Sequence, residues 1–316
     1  MNVAKSSAVQ HSWFSTMLRV MRAVATNQLA RHAPSAYLRL TGQTGRGAAA
    51  EEGANDIAAY FRRCLDDYLS RLGVATGDHV SGRTLMEYGP GDLPGVAMLM
   101  VAHGAEKVYC VDRFPLVSFS DKNIRVIDDL MQDLHGESLD RIRSCLVDID
   151  APRKGLATSR VEYLITRDGV SGLVETVDLV FSRAVLEHVN DLEATFNDMV
   201  TAMRPGAIAI HLVDLRSHGL HRHNPLDFLE WPVAVWDAMY SEKGVPNRWR
   251  VDKYREILSR LPVDVLVFEV TRVASPEIVE AVAPLVAKPF RGLTHSDLGC
   301  LGFWLVFRKK SSARLG

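Results

Sequence analysis

The segment Leu85-Met86-Glu87-Tyr88-Gly89-Pro90-Gly91-Asp92 runs from an apolar, strand-like stretch into two glycines, and Leu93 to His103 then follows a helical pattern with Pro94 in its first turn. A strand, a glycine loop and a helix in immediate succession open an α/β fold. Glycine tolerates positive φ and carries no side chain, so such a loop lets a ligand approach the backbone closely. Outward from it, short apolar runs alternate with helix-length segments. The candidate strands are Thr84 to Tyr88, Lys107 to Val111, Val161 to Ile165, Val177 to Ser182, Ala207 to Val213, Val263 to Thr271 and Cys300 to Arg308. The alternation predicts parallel strands joined by helical crossovers, and the short interval before the final strand suits an antiparallel end. The expected fold is therefore α/β, a doubly wound, mostly parallel seven-stranded sheet with an antiparallel last strand.

Residues 81–310 carry this pattern, 1–80 read as a helical arm and cap, and 311–316 as a tail. The first fifty residues hold Lys5, Arg19, Arg22, Arg31, Arg39 and Arg46 without one Asp or Glu, a bias shared by transit peptides and membrane-skimming helices. Trp13, Phe14, Met17, Leu18 and Met21 form an apolar face that a core could equally bury, so a helical lid or docking arm is the simpler expectation. Thr41 to Gly53, rich in Gly, Ala and Thr, reads as a joint, and Asn55 to Leu72 as an amphipathic helix lying on the core.

Composition excludes several classes. A net charge of -1 argues against a nucleic-acid binder, whose footprint is a broad basic face. No apolar run approaches the length of a membrane span, so no stable membrane insertion is expected. Cys64, Cys110, Cys145 and Cys300 are scattered without metal-type spacing, which fits a reducing, cytoplasmic compartment.

The loop's spacing separates cofactors. A dinucleotide fingerprint needs a third glycine three residues after the second, and Pro94 stands there instead, which disfavours a nicotinamide oxidoreductase. Glu87 puts a carboxylate beneath the loop. Asp112 ends the next strand, about twenty residues past the glycines, where one carboxylate can accept from both hydroxyls of a ribose. Asp168, in Thr166-Arg167-Asp168-Gly169, follows the third strand and could accept from an adenine amino group, although Asp-Gly is also an ordinary turn.

Glu87-Tyr88-Gly89-Pro90-Gly91, Val111-Asp112, Asp178-Leu179-Val180-Phe181-Ser182, Leu186-Glu187-His188-Val189 and Arg204-Pro205-Gly206 together resemble class I S-adenosylmethionine-dependent methyltransferases, with the blocks in their usual order. The segment through Asn247-Arg248 to Arg308-Lys309 is similar to methyltransferases of bacterial surface-sugar and natural-product gene clusters. The resemblance implies S-adenosylmethionine as methyl donor, held by Glu87, Tyr88, Gly89, Gly91, Asp112, Arg113, Asp168, Gly169 and Ser182. Pro90 and Asp92 inside the loop, and Pro205-Gly206-Ala207 in place of a double glycine, depart from the commoner pattern. A catalytically silent cofactor-binding scaffold is the alternative from another class.

Methyl transfer is an in-line displacement, so the protein aligns the partners and excludes water. A hydroxyl acceptor must also lose its proton, a task suited to histidine, for which His218 ranks first, with His188 and His211 behind it. This points to O-methylation of a small molecule or glycosyl unit. Some related enzymes, including ubiquinone-pathway O-methyltransferases, bind a divalent ion through two glutamates and a histidine in the Glu187-His188 block. Arg183 holds the first glutamate's place here, so no metal is expected unless Asp214 or another histidine is recruited. A lid insertion is expected over about 216–250, where His221, His223, Phe228, Trp231, Trp236, Tyr240 and Trp249 suit a sugar or aromatic ring, or form the lid's own core. Ser275 to Ser296 is expected to close the pocket or to contact a second subunit in a homodimer.

Overall fold

In the computed structural model, residues 3–41, 53–76 and 79–311 are described, with side chains from residue 17 onward except 74–76. The glycine loop joins β1 (Thr84–Tyr88) to α4 (Gly95–Ala102), and the helix begins just after Pro94, its N-cap, two residues later than the pattern suggested. Along β1 successive side chains point to opposite faces. Leu85 enters the core beneath α3 (Ala54–Thr76) and α4, whereas Met86 and Tyr88 enter the core on the other face. Glu87 therefore shares the face of Leu85.

The remaining strands are β2 (Lys107–Asp112), β3 (Val161–Ile165), β4 (Val177–Arg183), β5 (Met203–Asp214), β6 (Val263–Val273) and β7 (Cys300–Lys309). They form one seven-stranded sheet in the order β3-β2-β1-β4-β5-β7-β6. The pairs from β3 through β5 are parallel, and β7 enters antiparallel between β5 and β6. The expected fold is observed, with each strand within a few residues of its predicted bounds. On one face lie α3, α4, α5 (Asp121–Met131) and α6 (Glu137–Arg143), and on the other α7 (Leu192–Ala202) and α9 (Val251–Arg260). Where α3 crosses α4, a Cβ on Gly95 would stand 2.4 Å from Phe61 Cδ2, so only glycine permits this approach.

The direction of strand succession reverses between β1 and β4. In open α/β sheets a crevice forms at that point, beyond the carboxyl ends of the strands. Tyr37 and Leu38 of α2 (Pro34–Thr41) line it, while α1 (Val3–His32), α8 (Val233–Tyr240), α10 (Pro276–Val282) and α11 (His295–Gly299) share a third core. Asn27 ties α1 to α8, its Nδ2 donating to the Asp237 and Ala238 carbonyls at 3.2 and 3.1 Å. The buried face of α1 is not the predicted one: Met17, Leu18 and Met21 are about half exposed, while Ala23, Asn27 and Ala30 are buried. Trp13 and Phe14 have side chains outside the described set, as does most of the joint expected over 41–53. Among the described residues no helix is long and apolar enough to cross a membrane.

Candidate functional site

A cavity of about 670 Å³ fills the crevice. One end is made by the glycine loop and the ends of the first strands: Tyr88, Gly89, Gly91, Asp112, Arg113, Asp168 and Gly169 all line it. Gly89 and Gly91 have φ of 65° and 76°, a left-handed backbone that side chains disfavour. A Cβ at Gly89 would also lie 2.5 Å from Val185 Cγ2 across the cavity mouth. Asp112 accepts from the Phe114 N–H at 3.0 Å, and burial pushes its carboxyl up to about 6. Tyr88 donates its hydroxyl to Asp198, which also accepts from the Ser171 and Gly172 N–H groups at 2.6 and 2.8 Å, so the loop after β3 is pinned to α7. Arg113 bonds Asn190 and pairs with Glu242 at 3.7 Å, joining the end of β2 to the insertion after β5.

Two residues assigned to the cofactor do not reach the cavity wall. Glu87, on the α3 and α4 side of β1, is buried beside Cys110 Sγ at 3.8 Å, and burial pushes its carboxyl up to about 8. It lies on the side of β1 that carries Leu85 and is not among the residues that line the cavity. Ser182 is buried with its Oγ 2.7 Å from His211 Nδ1, and His211 Nε2 lies 3.2 Å from Met199 Sδ. Burial drives His211 down to about 3, so this histidine is a neutral core residue and leaves the set of candidate bases.

His188 and His218 also line the cavity, their rings edge to face with centroids 4.8 Å apart. Burial, then the neighbouring His218, lowers His188 to about 4. Glu187 Oε1 lies 3.8 Å from His188 Nε2 and 4.0 Å from His218 Nε2. Glu187 is 1% exposed, and neither of its carboxylate oxygens has a hydrogen-bond partner among the described residues. Burial raises its pKa well above the usual carboxylate value. His218 adopts φ 48° and Ala184 φ 54°, so the backbone is strained at both loops that meet here. Asn247 clamps the Glu187–His188 turn: its Nδ2 donates to the Leu186 and Val189 carbonyls at 2.9 and 3.0 Å, and its N–H to the Glu187 carbonyl at 2.6 Å. Buried Arg250 holds the loop before His218 by donating to Leu215 O at 2.9 Å. Arg183, where an acid would complete the two-glutamate metal motif, instead pairs with Asp67 of α3 at 2.8 Å.

The insertion does close the cavity, but through Leu220, Lys243, Gly244, Val245 and Pro246. Its aromatic residues are elsewhere: Phe228 and Trp236 are buried with Val279, Val282 and Phe290 of the segment between β6 and β7, making the core of the lid. The aromatic walls come instead from Tyr37, Tyr60 and Phe114. Sequence reasoning missed Tyr37, Tyr60 and Lys243, which reach the cavity from segments that carry no recognisable motif.

A family profile described as a methyltransferase domain matches residues 57–261, more than half of the chain. Among solved structures, the fold is similar to an S-adenosylmethionine-dependent methyltransferase of Mesorhizobium loti, at 16% identity over 77% of this chain and 99% of that one, TM-score 0.42. It is also similar to phosphoethanolamine N-methyltransferase 2 of Haemonchus contortus in complex with S-adenosyl-L-methionine, at 16% identity over 78% of this chain and 53% of that one, TM-score 0.40. No curated protein matches by sequence.

Proposed function

Given that the chain belongs to the methyltransferase-domain family and uses S-adenosylmethionine, we propose that it methylates an oxygen of a small hydroxylated compound or glycosyl unit. The observation that carries this reading is one cavity lined both by Gly89, Gly91, Asp112 and Asp168 and by His188 and His218. Bare left-handed backbone and a wall carboxylate suit the donor's nucleoside, and Asp168 suits its adenine. The donor supplies a methyl on a sulfonium sulfur: as the acceptor oxygen's lone pair forms the new O–C bond, the C–S pair passes to sulfur and the hydroxyl proton must be drawn off.

The chain's own residues do the rest. Tyr37, Tyr60 and Phe114 offer apolar faces against which a sugar or ring can lie. The imidazoles of His188 and His218 engage the acceptor's hydroxyl, with Asn247 fixing the first and Arg250 the loop of the second. Docking of α1 and α2 over the crevice excludes water, which strengthens each polar contact within. The protein incubated with isotope-labelled methyl donor and pools of hydroxylated acceptors is expected to yield a labelled methyl ether by mass spectrometry. Label found only on nitrogen, carbon or sulfur would overturn the oxygen assignment. Cofactor binding without transfer to any pool would favour a silent scaffold.

A further inference from the structure

Glu187 presents a physical problem that the protein's own side chains do not solve. A buried carboxylate is costly unless it meets hydrogen-bond donors or a cation. Both of its oxygens lack a hydrogen-bond partner among the described residues. The nearest guanidinium that could serve, Arg216, spends its fork on Asp214, with Nε 2.8 and 2.9 Å from the two carboxylate oxygens. What faces Glu187 is a pair of imidazole nitrogens. One ligand atom each from Glu187, His188 and His218 lies within 4.8 Å of the others.

We propose that Glu187, His188 and His218 bind a divalent transition-metal ion at the acceptor end of the cavity. This rests on the reading of that end given above and names how the two histidines engage the acceptor. Ligand atoms about 2.1 Å from a shared ion are at most about 4.2 Å apart. The separations from Glu187 Oε1, 3.8 and 4.0 Å, already fall inside that reach. Small rotations of the two rings complete the closure. Two imidazole nitrogens and one carboxylate oxygen favour Mn²⁺, Fe²⁺, Co²⁺ or Zn²⁺ over the all-oxygen preference of Mg²⁺ and Ca²⁺.

The ligands come from two loops. Glu187 and His188 follow β4, and His218 follows β5, where the left-handed backbone at φ 48° turns its ring towards the other two. The third ligand is thus drawn from across the sheet and not from position 183, which Arg183 occupies in an ion pair with Asp67. Because His188 and His218 line the cavity, the ion's open positions face the acceptor. An ion there holds the acceptor's oxygen and eases loss of its proton to water, so His218 serves as a ligand and not as the base.

The test is titration of chelator-treated full-length protein with Co²⁺, followed by visible absorption and equilibrium dialysis. The expected result is one equivalent bound with imidazole-type d–d bands, weakened at least ten-fold in both Glu187→Gln and His218→Ala. Cofactor affinity of each variant, measured by calorimetry, verifies that the crevice is intact. Absence of stoichiometric Co²⁺ binding up to about 0.1 mM, a free energy of roughly 5 kcal/mol, would overturn the proposal, as would binding in either variant as tight as in the wild type. Methyl transfer that persists undiminished in excess chelator would also remove the ion while leaving the methyltransferase reading intact. Loss of cofactor binding in the wild-type protein would instead strike at that earlier reading.

Discussion

Replacing Asp112 by Ala should remove most of the affinity for the methyl donor. Its carboxylate stands on the cavity wall at the end of β2, with Oδ1 fixed by the Phe114 N–H at 3.0 Å. A hydrogen bond to a charged group contributes about 1.5–3 kcal/mol, so two ribose hydroxyls held there contribute about 3–6 kcal/mol. That corresponds to roughly a hundred- to ten-thousand-fold in Kd. The same residue gives a pH signature, because burial has pushed its pKa up to about 6 in the free protein. Hydroxyl donors stabilise the charged form, so the bound pKa is lower than the free one. Affinity is therefore full above the free pKa and falls as pH drops through it, about ten-fold by pH 5. Asp112→Asn keeps the shape and one acceptor but cannot titrate, so its affinity is lower and its profile flat across the same range. Calorimetry with S-adenosylmethionine from about pH 5 to pH 8 measures both effects. An Asp112→Ala affinity equal to wild type, or a wild-type slope surviving in Asp112→Asn, would refute the reasoning.

Two further predictions concern residues that hold the crevice. Burial raises the Glu87 carboxyl from 4.5 to about 8, so the folded protein keeps a proton that the unfolded chain releases. Its contribution is full below about pH 4.5 and is lost as pH rises through about 8, about 5 kcal/mol in all; thermal melts should show Glu87→Gln gaining on wild type as pH rises, and parallel profiles would count against this. Asn247→Ala removes the amide that holds the Leu186 and Val189 carbonyls, costing about 2 kcal/mol of local order. Turnover should drop at least ten-fold with cofactor Kd unchanged, and a parallel loss of both, or of neither, would show that Asn247 does not act through the histidine turn.

The part of the cavity lining at the strand ends was legible in the sequence because it follows strand order. Gly89, Gly91, Asp112 and Asp168 sit at the ends of three successive strands, and strands that pair in parallel bring such ends together without further information. Glu87 and Ser182 show the limit of that inference. Being beside the loop or at a strand's end does not say which side chains reach the cavity, and Glu87, on the face of Leu85 beside Cys110, is not among its lining residues. His211 and His218 are separated already by the predicted end of the fifth strand, and the structure keeps the first inside β5 against Ser182 and Met199 and the second past its end.

Other parts of the lining were hidden because they are far apart in the chain. Tyr37 arrives on α2, Tyr60 on α3 and Lys243 to Pro246 beyond α8, to meet Arg183 at the end of β4, His188 after β4 and His218 after β5. Their meeting depends on Asn27 joining α1 to α8, and on Asn247 and Arg250 joining the insertion to the loops after β4 and β5. None of those polar contacts follows a period of two or 3.6, so hydrophobic patterning cannot announce them. An acceptor site assembled this way can change its occupant by altering the arm or the insertion while the strand ends, and with them the donor half, stay as they are.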